Sequence, residues 1–247
     1  MPCVLPAPAA EIPRQPAALV AKLRQTERRL DAAIDRWDKR RRPPRDVTLL
    51  ALYEQRAIRL LARDRALAVA VVARLPALRD DVRAHADLAA LAPARPGPRP
   101  RVAKPPAPRR LLAWYRAAQR RFGVRWQLLA AVNFVESAFG KLRNDSVAGA
   151  RGPMQFLPST WRAYGLGGDV HDPRDAILGA ANYLAAAGAP RNETRALYRY
   201  NPSPLYVDAV TRYARRITRD PRAFYRYYAW QVFVRTAHGV RRITGPR

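Results

Sequence analysis

The sequence predicts an all-α protein on three observations. Apolar residues in its N-terminal third recur at helical spacing. Beyond residue 108, segments open on Pro, Asp, Asn or Ser and close on Gly, the residues that start and stop helices. Period-two alternation, the mark of a half-buried strand, is weak and confined to the stretch between Trp230 and Ile243. The 247 residues suffice for one large or two smaller domains, and 49% hydrophobic residues exclude a wholly disordered chain. Cys3 is the lone cysteine, so neither an intrachain disulfide nor a cysteine-based zinc site can form.

In the first region Leu19, Leu23, Leu30, Ile34 and Trp37 mark one amphipathic helix between Pro16 and the basic break that holds Pro43 and Pro44. Asp46 is expected to cap a second, whose apolar stripe is Leu50, Tyr53, Ala57, Ile58 and Leu61. A third runs over 65–75 to Pro76, and a weaker fourth over 78–91. Residues 1–91 thus read as a small helical bundle, a structural or orienting module without a convergent polar cluster. Residues 92–108, with seven prolines and four basic residues, read as a semi-rigid linker.

The next region, 109–218, is expected to carry the function. Helices are predicted over 110–122, closed by Gly123, and 125–139, closed by Gly140. A Gly-containing loop at 149–157 leads into a short helix starting at Pro158, and Asp172-Pro173-Arg174-Asp175 opens another over 173–187. Asn192 and Ser203 cap two more. In the 219–247 extension the turn residues His238-Gly239 suggest a short β-hairpin, with an irregular tail as the alternative. The aromatic group Phe224, Tyr225, Tyr227, Tyr228 and Trp230 reads as packing on the helical domain in preference to sugar binding.

Lys+Arg number 46 against 19 Asp+Glu, a net charge of +27 that attracts polyanions. Arginine is scattered through every segment, so a composition bias accounts for the charge as well as a polyanion-binding role does. No uncharged apolar run reaches the roughly 18 residues of a membrane-spanning helix. Ala7-Pro8-Ala9 resembles the small-residue end of a secretory signal without its apolar centre, which leads us to expect a natural start further upstream.

The chemistry gathers around Glu136. From Trp126 to Val135 no residue is charged, so the helix reads as a central buried one, and Glu136 enters in its last turn. Apolar neighbours and the negative helix end should both raise its pKa, giving the protonated carboxylic acid that a glycosidase needs. The plainer reading is a surface glutamate, or one paired with Arg143 or Arg151. Four motifs follow in order: Glu136-Ser137, then Gly152-Pro153-Met154-Gln155-Phe156-Leu157-Pro158-Ser159-Thr160-Trp161, then Ala181-Asn182-Tyr183-Leu184, then Tyr200-Asn201.

This ordered set, over 114–217, resembles the soluble lytic murein transglycosylase (SLT) family, relatives of goose-type lysozyme. The resemblance implies a lysozyme-like α-helical fold and cleavage of the β-1,4 bond between N-acetylmuramic acid and N-acetylglucosamine. It makes Glu136 the acid/base. It implies that Ser137 hydrogen-bonds within the site, that Gln155 contacts the sugar with Met154 and Phe156 shaping the cleft, and that Tyr200 and Asn201 orient the carboxyl and the acetamido group. Pro202 departs from the expected pattern and bears on the loop that carries Asn201. Tyr183, on an Ala-rich helix face, reads as core.

One carboxylate suffices for closure to a 1,6-anhydro product without water. A second, at Asp145 or Asp169, would favour hydrolysis, although both also read as turn residues. No cofactor is implied, and neither His171 nor His238 has a partner at metal-ligand spacing. The partners expected are peptidoglycan glycan strands and, through the basic surface, anionic wall polymers. No motif for specific nucleic-acid recognition occurs. The expected setting is extracytoplasmic. Competing readings are a lysozyme-like hydrolase of the same bond and a catalytically weak peptidoglycan-binding protein.

Overall fold

A computed structural model describes residues 4–91 and 99–246, and among these described residues it shows eleven α-helices and one two-stranded hairpin. The first four helices are α1 (Pro16–Arg36), α2 (Arg45–Leu61), α3 (Arg65–Arg74) and α4 (Arg79–Leu91), with a 3₁₀ turn at Pro76–Leu78. The residues of the predicted α1 and α2 stripes are buried together: Leu19, Leu23, Leu30 and Ile34 face Leu50, Ala57, Ile58 and Leu61. Asp46 does not cap α2. The helix already begins at Arg45 after Pro44, and Asp46 lies in its first turn, bonding Val47 N at 2.8 Å. Asp64 caps α3 by accepting from Leu67 N at 3.0 Å.

Seven further helices follow: α5 (Pro108–Phe122), α6 (Trp126–Ser137), α7 (Pro158–Tyr164), α8 (Pro173–Ala186), α9 (Glu193–Tyr200), α10 (Pro204–Arg219) and α11 (Arg222–Ala229). Cap chemistry explains several of these boundaries. Asp172 accepts from Arg174 N and Asp175 N, Asn192 from Arg195 N and Ser203 from Tyr206 N, so each satisfies donors that the first helical turn leaves open. The hairpin pairs β1 (Phe233–Thr236) with β2 (Gly239–Arg242) antiparallel. Among the described residues no helix is long and apolar enough to cross a membrane.

Two packings position the site. Helix α10 lies between α4 and α6, and so touches both the N-terminal helices and the helix that carries Glu136. The aromatic side chains of α11 close over the end of α6: Phe134 stacks on Tyr227 at 5.1 Å and meets Tyr213 and Trp230 edge-on. Residues 92–98 of the expected linker lie outside the described residues. The segment after them is tied down, since Arg101 and Ala103 bond with Arg143 and Lys141 as a short extended ladder. Tyr228 also donates to Pro106 O at 3.0 Å.

The α4–α10 and α2–α11 contacts are ionic as well as apolar. Arg215 and Arg219 meet Asp80 at 2.5 and 3.3 Å, Arg212 meets Asp87 at 3.2 Å, and Arg216 lies 3.7 Å from Asp81. Arg226, 3% exposed, pairs with Glu54 at 2.5 Å and with Asp31. Guanidiniums this deep need such partners to offset their lost hydration.

Candidate active site

Helix α6 is buried nearly all round through Leu128, Leu129, Ala130, Ala131 and Val132, so its last turn is fixed in space by the core. It stops abruptly. Ala138 (φ 51°), Phe139 (φ 64°) and Gly140 (φ 81°) are consecutive left-handed residues, and two of them carry side chains for which that conformation is costly. Phe139 is held there by burial, stacked on Phe134 at 5.5 Å and edge-on to Phe224. The chain thereby turns away directly after Glu136 and Ser137.

Glu136 is half-buried. Burial pushes its carboxyl up to about 7, and a hydrogen bond from Tyr206 Oη to Oε1 at 2.6 Å pulls the other way. Among the described residues no cation contributes to that balance. Arg151 instead lies 4.0 Å from Asp145, and among the described residues neither it nor Arg143 forms an ion pair with Glu136. With Tyr206 donating to Oε1, the proton of the neutral acid is left to Oε2.

The neighbouring motif residues form a frame around this group. Ser137 is buried, and its Oγ donates to Pro153 O at 2.6 Å while accepting from Gly140 N at 2.8 Å. It thus clamps the helix end to the Gly152–Phe156 loop. Gly152 (φ 72°) could not be replaced without collision, because an added Cβ would fall 1.9 Å from Val170 O. Met154 is fully buried, in contact with Asn133 Nδ2 through its sulfur at 2.9 Å, and Phe156 is buried edge-on to Trp161. Both therefore shape the loop from beneath. Gln155 is half-buried with a left-handed backbone (φ 50°), and its Nε2 donates to Gly152 O and Asn144 O at 2.9 and 3.3 Å.

Tyr200 donates to Met154 O at 2.5 Å, and burial, with the Glu136 carboxylate next in weight, pushes its phenol well above 10. Asn201 ends α9 through its backbone N–H, which donates to Leu197 O at 2.9 Å. Its side chain forms no hydrogen bond among the described residues. Tyr183 donates to Arg199 O at 2.8 Å and lies 5.6 Å from Tyr200. Glu136, Ser137, Met154 and Tyr200 are thus brought together, with Gln155 on the same loop and Asn201 beside it. Asp145 and Asp169 are exposed, and Asp169 accepts from His171 N at 2.8 Å as a turn residue does. Among the described residues no group of three or more potential ligands could hold a metal ion.

Two residues of this region escaped the sequence reading. Tyr206, 2% exposed, looks in sequence like any core aromatic in the first turn of an amphipathic helix. Lys141 follows Gly140 and is buried, with Nζ donating to Tyr228 O and Trp230 O at 2.5 Å each; burial pulls its pKa down to about 7. It anchors the loop after Glu136 to the C-terminal extension. A basic residue in a chain this basic carries no signal of that kind.

Comparison with known proteins bears on this arrangement. Residues 114–220 match the model of the Transglycosylase SLT domain. The chain is 30% identical over 118 residues to the membrane-bound lytic murein transglycosylase F of Thiobacillus denitrificans, which covers 44% of this chain and 25% of that protein. It is 28% identical over 146 residues to the membrane-bound lytic murein transglycosylase F 1 of Alkalilimnicola ehrlichii, 52% of this chain and 29% of that protein. The match thus spans little more than a quarter of the length of these curated relatives. No solved structure matches the chain. The motif order, the mostly helical fold and the matched stretch agree: residues 114–220 of the chain are similar to the Transglycosylase SLT domain.

Proposed function

We propose that this protein is a peptidoglycan lytic transglycosylase that cleaves the β-1,4 bond between N-acetylmuramic acid and N-acetylglucosamine and leaves 1,6-anhydromuramic ends. The observation that carries the proposal is the Glu136 carboxyl, raised to about 7 by burial, bonded by Tyr206 and unpaired with any cation among the described residues. Near neutral pH such a group is present in both protonation states, as a residue must be that first gives and then takes a proton. The matched domain and the names of the relatives support the substrate class.

In the first step the Oε2 proton of neutral Glu136 passes to the glycosidic oxygen as the bond from C1 breaks, and the substrate's 2-acetamido oxygen stabilises C1. In the second, O6 of the muramic residue bonds to C1 and its hydroxyl proton passes to the Glu136 carboxylate. The acid is regenerated and no water is consumed. Tyr206 supports the carboxylate stage through its bond to Oε1. Gln155, Tyr200 and Asn201 are proposed to contact the sugar, while Ser137, Met154 and Phe156 hold the loop that presents Gln155. The setting consistent with this substrate is extracytoplasmic.

Glu136→Gln tests the proposal, since it keeps the size of the side chain and removes the acid. Turnover of purified wall should fall by a factor on the order of 10² to 10⁴ while folding and wall binding persist. A variant that cleaves as fast as the parent would refute it.

A further inference from the structure

Two groups of arginines in this chain contrast. Those on α10 and α11 that face the N-terminal helices meet carboxylates. Around a cavity of about 930 Å³, between the segment before α1, the α2–α3 junction and the C-terminal hairpin, Arg14, Arg56, Arg59, Arg63 and Arg65 do not. None of these five forms an ion pair with a carboxylate among the described residues. Two acids share the lining, Glu11 and Asp64, and the Asp64 carboxylate is already engaged by Leu67 N. Five cations against two anions leave the cavity wall with a net charge of +3.

Arg59 lies at the centre of that excess. It is half-buried, with its guanidinium 4.1 Å above the Phe233 ring and Nη1 at 3.3 Å from His85 Nε2. Neither partner carries negative charge. Burial, then the neighbouring Arg63, pushes Arg59 down to about 10, and burial with Arg59 and Arg63 pushes His85 down to about 3, so the histidine stays neutral. Arg56 and Arg59 lie on α2 and Arg63 just past its end, about one turn apart each and so on one side of the helix, with Arg56 Nη1 held by Ala10 O at 2.5 Å. A half-buried, uncompensated guanidinium flanked by others is destabilised until an anion arrives.

We infer that this cavity is a binding site for a phosphoryl group attached to a partly apolar ligand. Guanidinium forks match the multiple oxygens of a phosphate, and several can share one such group. Ile12, Leu60, Phe233 and Val240 supply an apolar wall beside the cations, and the volume leaves room for the substituent that the phosphate carries. An anionic lipid headgroup and a soluble phosphorylated ligand share this chemistry.

The test is titration of the whole chain with inorganic pyrophosphate by calorimetry, and sedimentation with phosphatidylcholine vesicles with and without phosphatidylglycerol. Saturable pyrophosphate binding is expected, weakened by about tenfold or more in Arg59→Gln/Arg63→Gln and unchanged in Arg116→Gln/Arg120→Gln, which removes equal charge from exposed positions on α5. Arg63→Gln/Arg65→Gln, both exposed, repeats the measurement should loss of Arg59 disturb folding. Vesicle binding with the same sensitivity makes the source a lipid headgroup, and pyrophosphate binding alone makes it a soluble ligand; both support the site. Equal losses in the α5 control, or no saturable pyrophosphate binding, would overturn it.

Discussion

Glu136 at the end of α6 and Asp81 at the α4–α10 interface are both carboxyls that burial pushes up to about 7, yet their surroundings differ. Asp81 is 4% exposed, bonded by Tyr227 and 3.7 Å from Arg216, in a network that continues through Glu54 to Arg226. Glu136 is half-buried and, among the described residues, bonded by Tyr206 alone with no cation beside it. A raised pKa is therefore not what sets the candidate site apart. Partial access and the lack of a counter-cation are, because they leave the proton free to move to and from a substrate. The interface spends its arginines on holding two helical groups together, whereas the site dispenses with them. Helix α10 joins the two regions, since its arginines face α4 while Tyr206 faces Glu136.

The largest effect expected from breaking this contrast lies at the interface. Arg226→Met leaves the buried Glu54 without its cation and Asp31 with only the more distant Arg222 at 3.7 Å, and urea unfolding should show a loss of about 3–5 kcal/mol. A loss within error of zero would mean that the network contributes nothing to holding α11 on α2.

At the site the sign is opposite. Because the folded pKa of Glu136 is raised from 4.5 to about 7, its ionisation costs stability progressively as pH rises through that window, and the cost is absent below it. Glu136→Gln should therefore be more stable than the parent at pH 8, by on the order of 1–3 kcal/mol, with the difference fading towards pH 4. Parallel melting curves across that range check it, and a pH-independent difference would count against the raised pKa.

Tyr206→Phe sharpens the comparison further. The lost hydrogen bond favoured the carboxylate, so the Glu136 pKa should rise and the basic limb of the pH–rate profile should move to higher pH. Turnover at neutral pH should fall by about tenfold. An unmoved basic limb would show that the limb belongs to another group.

Much of the site could be read in the sequence, because local rules and short motifs carry it. The run of uncharged residues before Glu136 placed it at the end of a buried helix, and the motif resemblance over 114–217 falls within the matched stretch 114–220. Caps at Asp172, Asn192 and Ser203 were equally legible, since a cap is a contact within three residues. What stayed hidden depends on distant partners. Tyr206 meets Glu136 across 70 residues, and Arg226 meets Glu54 across 172. No local pattern separates these arginines from the unpaired ones around Arg59. The stop of α6 at Ser137, two residues before the expected end, follows from left-handed Ala138 and Phe139, a conformation that neither residue type announces.

The claim that one carboxylate handles both proton transfers is tested most directly by the mass of the products released from purified wall by the unmodified protein. Fragments ending in 1,6-anhydromuramic acid, lighter by one water than reducing ends, are expected. Fragments with free reducing ends would contradict the account, and would return Asp145 or Asp169 to consideration as a group that positions water.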